Sequence, residues 1–559
     1  MIRHFFIFFV VMLAGVVVRA QVQSPPAKVA SDTSDTTGTI SGSVVNDSGQ
    51  PLAGATLFVR AMNSFNAPRN TTTDADGNFR LNGLERALYT ITATAPAYAT
   101  DTTNATYYRV GDSVRLELIR GGVITGTVTN SAGEPVIGVR VRAVRIRDAK
   151  GQIFRTPSFG SREQTTDDRG VYRIYGLLPG TYLVNAGGGG FPSLFNPYDN
   201  DVPTYAPSST RDNASEISVR SGEESTADIR YRSEPGYSIS GTVKVAGTNG
   251  ATLTLRAVGN ATPLANVAQQ AGARGFAFNG LADGEYTVRA QEFSTVLSAN
   301  APQLGASVTK RVTIKGASVA GLELIPTPLA SISGRVVLEA SKVPECKGKR
   351  APLFSEMMVN LQRPEKEAED EDGIYVGLLG GIASPEANGA FAWRSVRSGR
   401  YRFEPRFYAR YWYLRSITMK KIDAAANWTT VKSGDQLSNV TITLAEGAAS
   451  MRGRLVVAEV QSGTKLYLIP AEPDKATDVL RFFVTEIASD GTFTLNNLPP
   501  GKYLVLTQAN IDGQLTTVAK LREPEAAAAR AKLLRSADSK KTEIELKPCQ
   551  NITDYQLKQ

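Results

Sequence analysis

The sequence predicts an all-β protein, a tandem array of five Ig-like or transthyretin-like β-sandwich domains. Three observations lead to this prediction: an aromatic motif that occurs five times, short segments in which apolar and polar residues alternate, and a scarcity of helix signals. A motif that recurs along a chain is typical of a protein built from similar structural units. The length of 559 residues agrees with this prediction, because a single hydrophobic core stops growing well below that size.

The recurring motif places Phe or Tyr ten residues before a Tyr, with Leu or Val midway between them. Its five occurrences are Phe79/Leu84/Tyr89, Tyr172/Leu177/Tyr182, Phe276/Leu281/Tyr286, Phe391/Val396/Tyr401 and Phe493/Leu498/Tyr503. Around each first aromatic residue, apolar and polar residues alternate, as they do in a strand packed on one face. We therefore expect these residues to fill the sandwich cores, which makes them poor candidates for a binding site.

Each unit opens with a short alternating segment that has a glycine at its centre. These segments are Ile40–Val44, Ile124–Val128, Ile239–Val243, Ile332–Val336 and Met451–Leu455. A glycine inside a strand usually marks a close backbone approach, so we expect a neighbouring strand or aromatic ring to lie against it. A turn and a second strand follow, most clearly at Asn46 to Pro51 and at Asn130 to Pro135.

Each unit closes with further strands, so that it has the roughly seven short strands of a β-sandwich. The predicted organisation is a signal peptide at 1–20, a flexible linker at 21–37, sandwiches at 38–120, 121–235, 236–328, 329–447 and 448–549, and a tail at 550–559. The third sandwich is trimmed and the fourth is expanded. A long loop at 187–211 interrupts the second sandwich, a charged insertion at 347–373 interrupts the fourth, and the fifth contains one helix at 523–537.

The N-terminal residues have the pattern of a secretory signal. Arg3 and His4 precede an apolar run from Phe5 to Val18, and small residues up to Ala20 suit cleavage before Gln21. An uncleaved membrane anchor is the alternative, although the run is short for a bilayer that needs about 20 residues. We expect the mature chain to have no transmembrane segment and to reach the periplasm, the outer surface or the extracellular space.

The net charge of +9 is modest for this length and is not concentrated in one block. The densest group of basic residues, Arg140, Arg142, Arg145 and Arg147, alternates with apolar residues as on the solvent face of a half-buried strand. We therefore expect no nucleic-acid partner.

The residue types present exclude most catalytic machinery. The only histidine is His4, which lies in the predicted signal, so the mature chain cannot form a histidine-dependent nucleophile site or a histidine-ligated zinc site. Paired carboxylates need no histidine, but they fall in predicted turns, at Asp74/Asp76, Asp167/Asp168 and Glu223/Glu224. We expect no catalytic residues, no cofactor and no metal site; a calcium-binding turn at Asp74 to Asn78 is the less favoured alternative.

The segment from Phe407 to Tyr413 contains five aromatic rings in seven residues. Strand alternation cannot bury Tyr411 and Tyr413 on the same face as Trp412, so one set could form a sugar-stacking or protein-binding surface. Tyr411, Trp412 and Tyr413 are therefore the candidate ligand-binding residues. The alternative is that a link between two sandwiches buries both faces.

Cys346 and Cys549 are the only two cysteines, and they could form a disulfide in an oxidising compartment. The sequence leaves open whether their Cα atoms come within the roughly 7 Å that a disulfide requires.

Together with the opening Ile-Ser-Gly-Ser-Val and the Asn/Gly/Pro turn, the segment from Asp167 to Tyr182 resembles the carboxypeptidase regulatory-like domain. This domain is a transthyretin-like sandwich, grouped with carbohydrate-binding-like folds and collagen-adhesin B-type domains. The resemblance implies a bacterial repeat protein without peptidase activity. It favours a non-enzymatic exported scaffold or binding protein of the cell envelope or the extracellular space, with a polysaccharide or an envelope protein as partner. The alternatives are a hydrolase of carbohydrates that uses carboxylates alone, and an accessory module of an outer-membrane transport system.

Overall fold

The computed structural model describes residues 37–62, 68–100, 106–153, 162–188, 196–245, 249–258, 265–269, 275–293, 304–364, 367, 382–457, 460–508, 517–540 and 542–558. Within these ranges the chain forms ten separate sheets, which pack in pairs around separate apolar cores. The predicted all-β tandem architecture is confirmed. The signal peptide at 1–20 and nearly all of the linker at 21–37 lie outside the described residues.

The first sandwich consists of sheets β4-β1-β8-β6 and β3-β2-β5-β7. Its strands are β1 (Thr37–Asn46), β2 (Thr56–Ala61), β3 (Arg69–Thr72), β4 (Asn78–Glu85), β5 (Leu88–Thr94), β6 (Tyr98–Ala99), β7 (Tyr107–Arg109) and β8 (Ser113–Arg120). Strand β1 pairs antiparallel with β4 and parallel with β8. The opening strand of each later sandwich pairs in the same way with its own two neighbours.

The second and third sandwiches repeat this plan. The strands of the second are β9 (Gly122–Thr129), β10 (Arg140–Asp148), β11 (Arg162–Thr165), β12 (Val171–Leu177), β13 (Gly180–Ala186), β14 (Thr204–Tyr205), β15 (Ile217–Val219), β16 (Glu224–Thr226) and β17 (Ile229–Arg230). Those of the third are β18 (Tyr237–Val243), β19 (Gly250–Ala257), β20 (Ala265–Gln269), β21 (Gly275–Leu281), β22 (Gly284–Phe293), β23 (Gly305–Ala306), β24 (Lys310–Ile314), β25 (Val319–Leu324) and β26 (Thr327–Pro328).

The fourth and fifth sandwiches complete the array. The strands of the fourth are β27 (Ala330–Glu339), β28 (Met357–Gln362), β29 (Ile382–Ala383), β30 (Ala390–Val396), β31 (Gly399–Phe407), β32 (Trp412–Met419), β33 (Ile422–Asp423), β34 (Thr429–Val431) and β35 (Gln436–Glu446). The fifth contains β36 (Ala449–Val456), β37 (Lys465–Pro470), β38 (Phe483–Glu486), β39 (Thr492–Leu498), β40 (Gly501–Gln508), helices α1 (Val518–Leu521) and α2 (Ala527–Lys540), β41 (Glu543–Leu546) and β42 (Asn551–Lys558).

All fifteen residues of the aromatic motif are buried in these cores, with at most 6% of any side chain exposed. In four of the five units the hydroxyl of the second aromatic residue donates a hydrogen bond to the backbone carbonyl four residues earlier, as Tyr503 does to Pro499 at 2.8 Å. A buried Tyr needs such a partner for its hydroxyl. The motif is therefore a feature of the core, as the sequence predicts.

The central glycines of the opening strands lie against the carbonyl groups of the parallel neighbour. A Cβ atom on Gly42 would come within 1.9 Å of the Val114 carbonyl oxygen, and one on Gly453 within 2.3 Å of the Tyr555 carbonyl oxygen. Contacts this short are impossible for a real side chain, so only glycine lets the parallel strand approach at these positions.

The structure corrects the C-terminal part of the predicted organisation. The predicted tail at 550–559 forms strand β42, which pairs in parallel with β36 and contributes Leu557 to the fifth core. Its apolar residues alternate at Ile552, Tyr555 and Leu557 with one irregularity, which hides the strand pattern. The predicted helix at 523–537 begins later, at Ala527, because Pro524 opens a separate 3-10 turn.

The part of the predicted long loop that the structure describes, 187–188 and 196–211, is packed against its surroundings. It contains a 3-10 helix at Pro197–Asn200 and strand β14, which pairs with β13. The backbone N–H of Gly236 donates to the Asn200 carbonyl at 2.9 Å, so the loop contacts the start of the third sandwich. Phe191 and Phe195 lie outside the described residues, as does most of the charged segment of the insertion at 347–373.

Candidate functional site

The aromatic segment Phe407–Tyr413 lies between the fourth and fifth sandwiches, where β31 passes into β32. The side-chain amide of Asn497, in β39 of the fifth sandwich, donates hydrogen bonds to the carbonyls of Ala409 and Trp412, both at 2.7 Å. The N–H groups of Gly447 and Ala448 donate to the Tyr411 carbonyl at 2.8 and 2.9 Å. The backbone of the segment is thus held by the chain that links the two sandwiches and by the fifth sandwich itself.

The three candidate ligand-binding residues differ in how deeply they are buried. Trp412 is only 3% exposed and belongs to the core of the fourth sandwich, so of the two sets of rings in this segment it is the buried one. Tyr411 and Tyr413 are half-buried. The Tyr411 ring packs on the same core, and the Lys349 ammonium lies 4.7 Å from the centroid of this ring. Burial raises the pKa of the Tyr413 hydroxyl. The Trp412 face of the segment is thus buried in the fourth core, and the face that carries Tyr411 and Tyr413 is partly covered.

A disulfide joins Cys346 of the fourth sandwich to Cys549, which lies between β41 and β42 of the fifth. The two Cα atoms are 5.4 Å apart, within the range that disulfide geometry requires. Cys346 ends a 3-10 helix at Pro344–Cys346, directly before the insertion at 347–373 that interrupts the fourth sandwich. The bond therefore links the two sandwiches across 203 residues of sequence.

The helical insertion of the fifth sandwich docks onto the fourth. Arg402 on β31, only 1% exposed, donates to the Ala519 carbonyl at 2.7 Å and to the Gln362 side chain at 3.0 Å. Trp428 donates from its indole nitrogen to the Glu525 carboxylate at 2.9 Å, and its ring centroid lies 5.5 Å from the Arg402 guanidinium. Burial lowers the pKa of Arg402, because removing the guanidinium from water disfavours its charged form.

A cavity of about 290 Å³ lies between the two sandwiches beside the aromatic segment. Its lining residues are Pro405, Arg406, Phe407, Tyr408 and Leu414 from the fourth sandwich, and Leu480, Phe483, Asn497 and Arg522 from the fifth. This volume is close to the lower end for small-molecule sites, roughly 300 Å³. Arg406 and Arg522 are the charged residues among the described lining residues, and Arg522 lies 3.5 Å from the Glu404 carboxylate.

The carboxylates considered for catalysis or calcium act as turn caps. Asp74 Oδ1 accepts from the N–H groups of Asp76 and Asn78, and Asp167 Oδ1 accepts in the same way from Arg169 and Val171. The hydrogen bond from the Val171 N–H lowers the pKa of Asp167, the opposite of what a general acid needs. In the described part of the chain, no three His, Cys, Asp or Glu side chains group as metal ligands.

None of the helices within the described residues combines the length and the apolar character needed to cross a bilayer. The longest, α2, has fourteen residues and contains three arginine or lysine side chains within Arg530–Arg535 alone.

The sequence did not indicate the cavity. Four of the nine described lining residues belong to the fifth sandwich. In the sequence they are 66 to 117 positions away from the lining residues of the fourth sandwich, Pro405 to Leu414. The one local signal is Asn497, which adopts a positive φ of 58° at a position where the first three units have glycine. An asparagine there keeps the backbone conformation and adds a side chain that can bond across the junction.

Two segments of the chain match the family model of the carboxypeptidase regulatory-like domain. The matches cover residues 39–119 and 123–232, the first and second sandwiches. The predicted resemblance is confirmed for these two units, which together make up less than half of the chain. No curated protein matches the sequence.

Several solved structures of bacterial surface proteins show a distant likeness. The TIE protein of Bacillus anthracis is 15% identical, with 52% of this chain and 51% of that chain covered and a TM-score of 0.14. The minor pilin GBS52 of Streptococcus agalactiae is 11% identical, with 35% and 96% covered and a TM-score of 0.20. BcpA, the major pilin subunit of Bacillus cereus, is 12% identical, with 52% and 99% covered and a TM-score of 0.15. The chain spans about half of the Bacillus anthracis protein. These scores support no argument about function.

Proposed function

We propose that the protein is a non-enzymatic exported scaffold of the cell envelope or the extracellular space, which holds β-sandwich domains in a fixed arrangement and binds a polysaccharide or a protein partner. The observation that carries the proposal is the construction of the junction between the fourth and fifth sandwiches. A disulfide, the two hydrogen bonds from Asn497 and a docked helical insertion join them there. At this junction, residues that differ between the repeats therefore hold the fourth sandwich against the fifth.

The disulfide also supports export. Disulfides form and persist in oxidising compartments and are rare in the cytosol of most bacteria. Cys346 and Cys549 are both buried, at 1% and 8% exposed, which suits a structural bond rather than a reactive one. Export is consistent with the predicted signal at 1–20, and N-terminal sequencing of the secreted protein would test cleavage before Gln21.

The absence of enzymatic activity is proposed from the roles of the polar residues. The side chains that could act as acid or base without histidine, such as Asp74 and Asp167, accept hydrogen bonds within their own turns. A glycosidase instead needs two carboxyl groups about 5–10 Å apart across a cleft.

A binding assay with the secreted protein and a panel of envelope polysaccharides tests this function, with reducing-end release measured in parallel. Binding without release of reducing ends supports the scaffold. Release that is lost in a single carboxylate variant, such as Asp167→Asn, contradicts it. The charge-matched control Asp47→Asn changes a turn carboxylate of the first sandwich and is expected to leave both measurements unchanged.

A further inference from the structure

We propose that the cavity between the fourth and fifth sandwiches binds a carboxylate carried on an apolar body of about one amino-acid residue, the chemistry of a polypeptide that ends in Leu or Phe. The inference rests on the proposed scaffold function and names the kind of partner for it. It depends on three features of the cavity: an arginine with incomplete hydrogen bonding, a largely apolar wall, and a location between two sandwiches whose contacts keep the cavity formed without a ligand.

The arginine is Arg522, which follows α1 and is 9% exposed. Its Nη1 lies 3.5 Å from the Glu404 carboxylate, at the outer limit of a hydrogen bond, and among the described residues its Nε has no hydrogen-bond partner. Buried charges in proteins are normally paired and hydrogen-bonded. The contact with Glu404 is the only hydrogen bond of the Arg522 guanidinium within the described residues, so its terminal nitrogens have donor capacity left for a carboxylate in the cavity.

The charge of the wall also selects an anion. Arg406 lines the same cavity, is exposed, and forms no ion pair within the described residues. None of the described lining residues is a carboxylate, since Glu404 contacts Arg522 without being a lining residue. A negatively charged group is favoured, and a cation is disfavoured by both arginines.

The rest of the wall selects an apolar body. Six of the described lining side chains are aliphatic or aromatic: Pro405, Phe407, Tyr408, Leu414, Leu480 and Phe483. A sugar ring would place several hydroxyl groups against this surface, and each hydroxyl without a partner would cost binding free energy. A Leu or Phe side chain meets no such cost. A volume of about 290 Å³ accommodates one such residue with its carboxylate.

The junction keeps the cavity formed without a ligand. One wall belongs to the fourth sandwich and the other to the fifth, and the ties between them include Asn497, which also lines the cavity. A site whose walls are already in place loses less conformational entropy on binding than one that must close.

The test uses calorimetry or ligand-observed NMR with the full mature chain. The probes are N-acetyl-phenylalanine, its amide, and a capped heptapeptide that ends in Phe with either a free carboxylate or an amide. We expect each acid to bind at least tenfold more tightly than its amide. Tighter binding of the heptapeptide acid than of the small acid identifies a polypeptide end as the source, and the reverse identifies a free small acid.

Three variants and a control locate the site. Arg522→Gln should abolish the preference for the acid, and Arg406→Gln should weaken acid binding several-fold. Glu404→Gln should strengthen acid binding, because it removes the carboxylate that competes for Arg522; a merely structural role of the ion pair would not produce this gain. Arg173→Gln, an exposed arginine paired with Glu224 in the second sandwich, is the matched control and should change nothing.

Equal binding of acid and amide, or an acid preference that survives Arg522→Gln, overturns the proposal. Tighter binding of an oligomeric uronate than of the peptide acid, lost in Arg522→Gln, also overturns it, since the body would then be a sugar. Because Arg406 is exposed and Glu404 is changed to a side chain of the same shape, these two variants keep the proposal testable if Arg522→Gln fails to fold. If the cavity assignment is overturned in this way while polysaccharide or partner binding is retained, the scaffold function still stands.

Discussion

The junction between the fourth and fifth sandwiches differs from the junction between the first and second, although both connect repeats with the same core. At the first junction a single residue, Gly121, separates β8 from β9. It approaches Gly176 so closely that a Cβ atom on it would lie 2.6 Å from the Gly176 Cα, and the Ser221 hydroxyl donates to the Asp47 carboxylate at 2.7 Å. The later junction has a disulfide, an aromatic segment, a docked helical insertion and a cavity.

The difference shows that the fold of each repeat and the way in which neighbouring repeats meet depend on different residues. The aromatic motif builds the same core in each unit, and the core does not determine how one unit meets the next. At the first junction, Gly121 and Gly176 let the backbones approach closely. Where the residues after Cys346 and around α1 are added, side chains lock two sandwiches together. The binding site proposed above lies at the second kind of junction.

The largest expected effect comes from removing the covalent bond. In the double variant Cys346→Ser/Cys549→Ser, we expect the free energy of unfolding of the fifth sandwich to fall by about 2–5 kcal/mol, because the disulfide closes a long loop of the unfolded chain. Hydrogen exchange read peptide by peptide measures this effect in β36 and β42. Peptides from the first and second sandwiches are the internal control. A uniform loss of protection across the chain would show that the junctions are not independent.

The next largest effect is expected at Asn497. Asn497→Ala removes the hydrogen bonds to the Ala409 and Trp412 carbonyls and puts alanine, which tolerates the left-handed region less well than asparagine, at a φ of 58°, so we expect a loss of about 2–3 kcal/mol. Asn497→Gly is the matched control, since it removes the same hydrogen bonds without the backbone strain. Thermal unfolding of both variants separates the two contributions. Equal stability of Asn497→Gly and the parent would mean that these hydrogen bonds do not stabilise the junction.

A smaller effect is expected at the docked helices. Trp428→Phe keeps an aromatic ring beside Arg402 but removes the indole donor to Glu525, so we expect a loss of about 1 kcal/mol and faster hydrogen exchange in α2. A double-mutant cycle with Glu525→Gln isolates the pair. Additive effects of the two changes would show that the indole and the carboxylate do not interact.

The smallest effect is expected within a repeat core and concerns pH. Burial raises the pKa of Tyr182 from 10.0 to about 12. The hydroxyl stays protonated in the folded state while the unfolded chain ionises first, so its stabilising contribution is complete below pH 10 and is lost as the pH rises towards 12. In Tyr182→Phe this part of the alkaline loss should disappear, as measured by denaturant unfolding at pH 9 and pH 11. An unchanged difference between the two pH values would contradict the assignment.

The sequence predicted the cores well because their pattern is local. The period of two around Phe79 or Phe493 follows from one strand packing one face, and the glycine at the centre of β1 or β36 follows from a close neighbour. The same reasoning failed for β42, because one irregularity after Ile552 breaks the alternation. It could not decide which face of the aromatic segment is buried, because the burial of Trp412 depends on a fourth-sandwich core assembled from distant strands.

The amino-acid sequence by itself determined the repeat, the residues that fill each core and the all-β class, since these depend on apolar patterning over about ten residues. Only the tertiary structure decided that Cys346 and Cys549 come together, that Asn497 bonds to the aromatic segment, and that Arg522 faces a cavity with Arg406. Each of these contacts joins residues tens to hundreds of positions apart, and no local pattern encodes a distance between two separately folded cores. That distance is set by the relative placement of the fourth and fifth sandwiches.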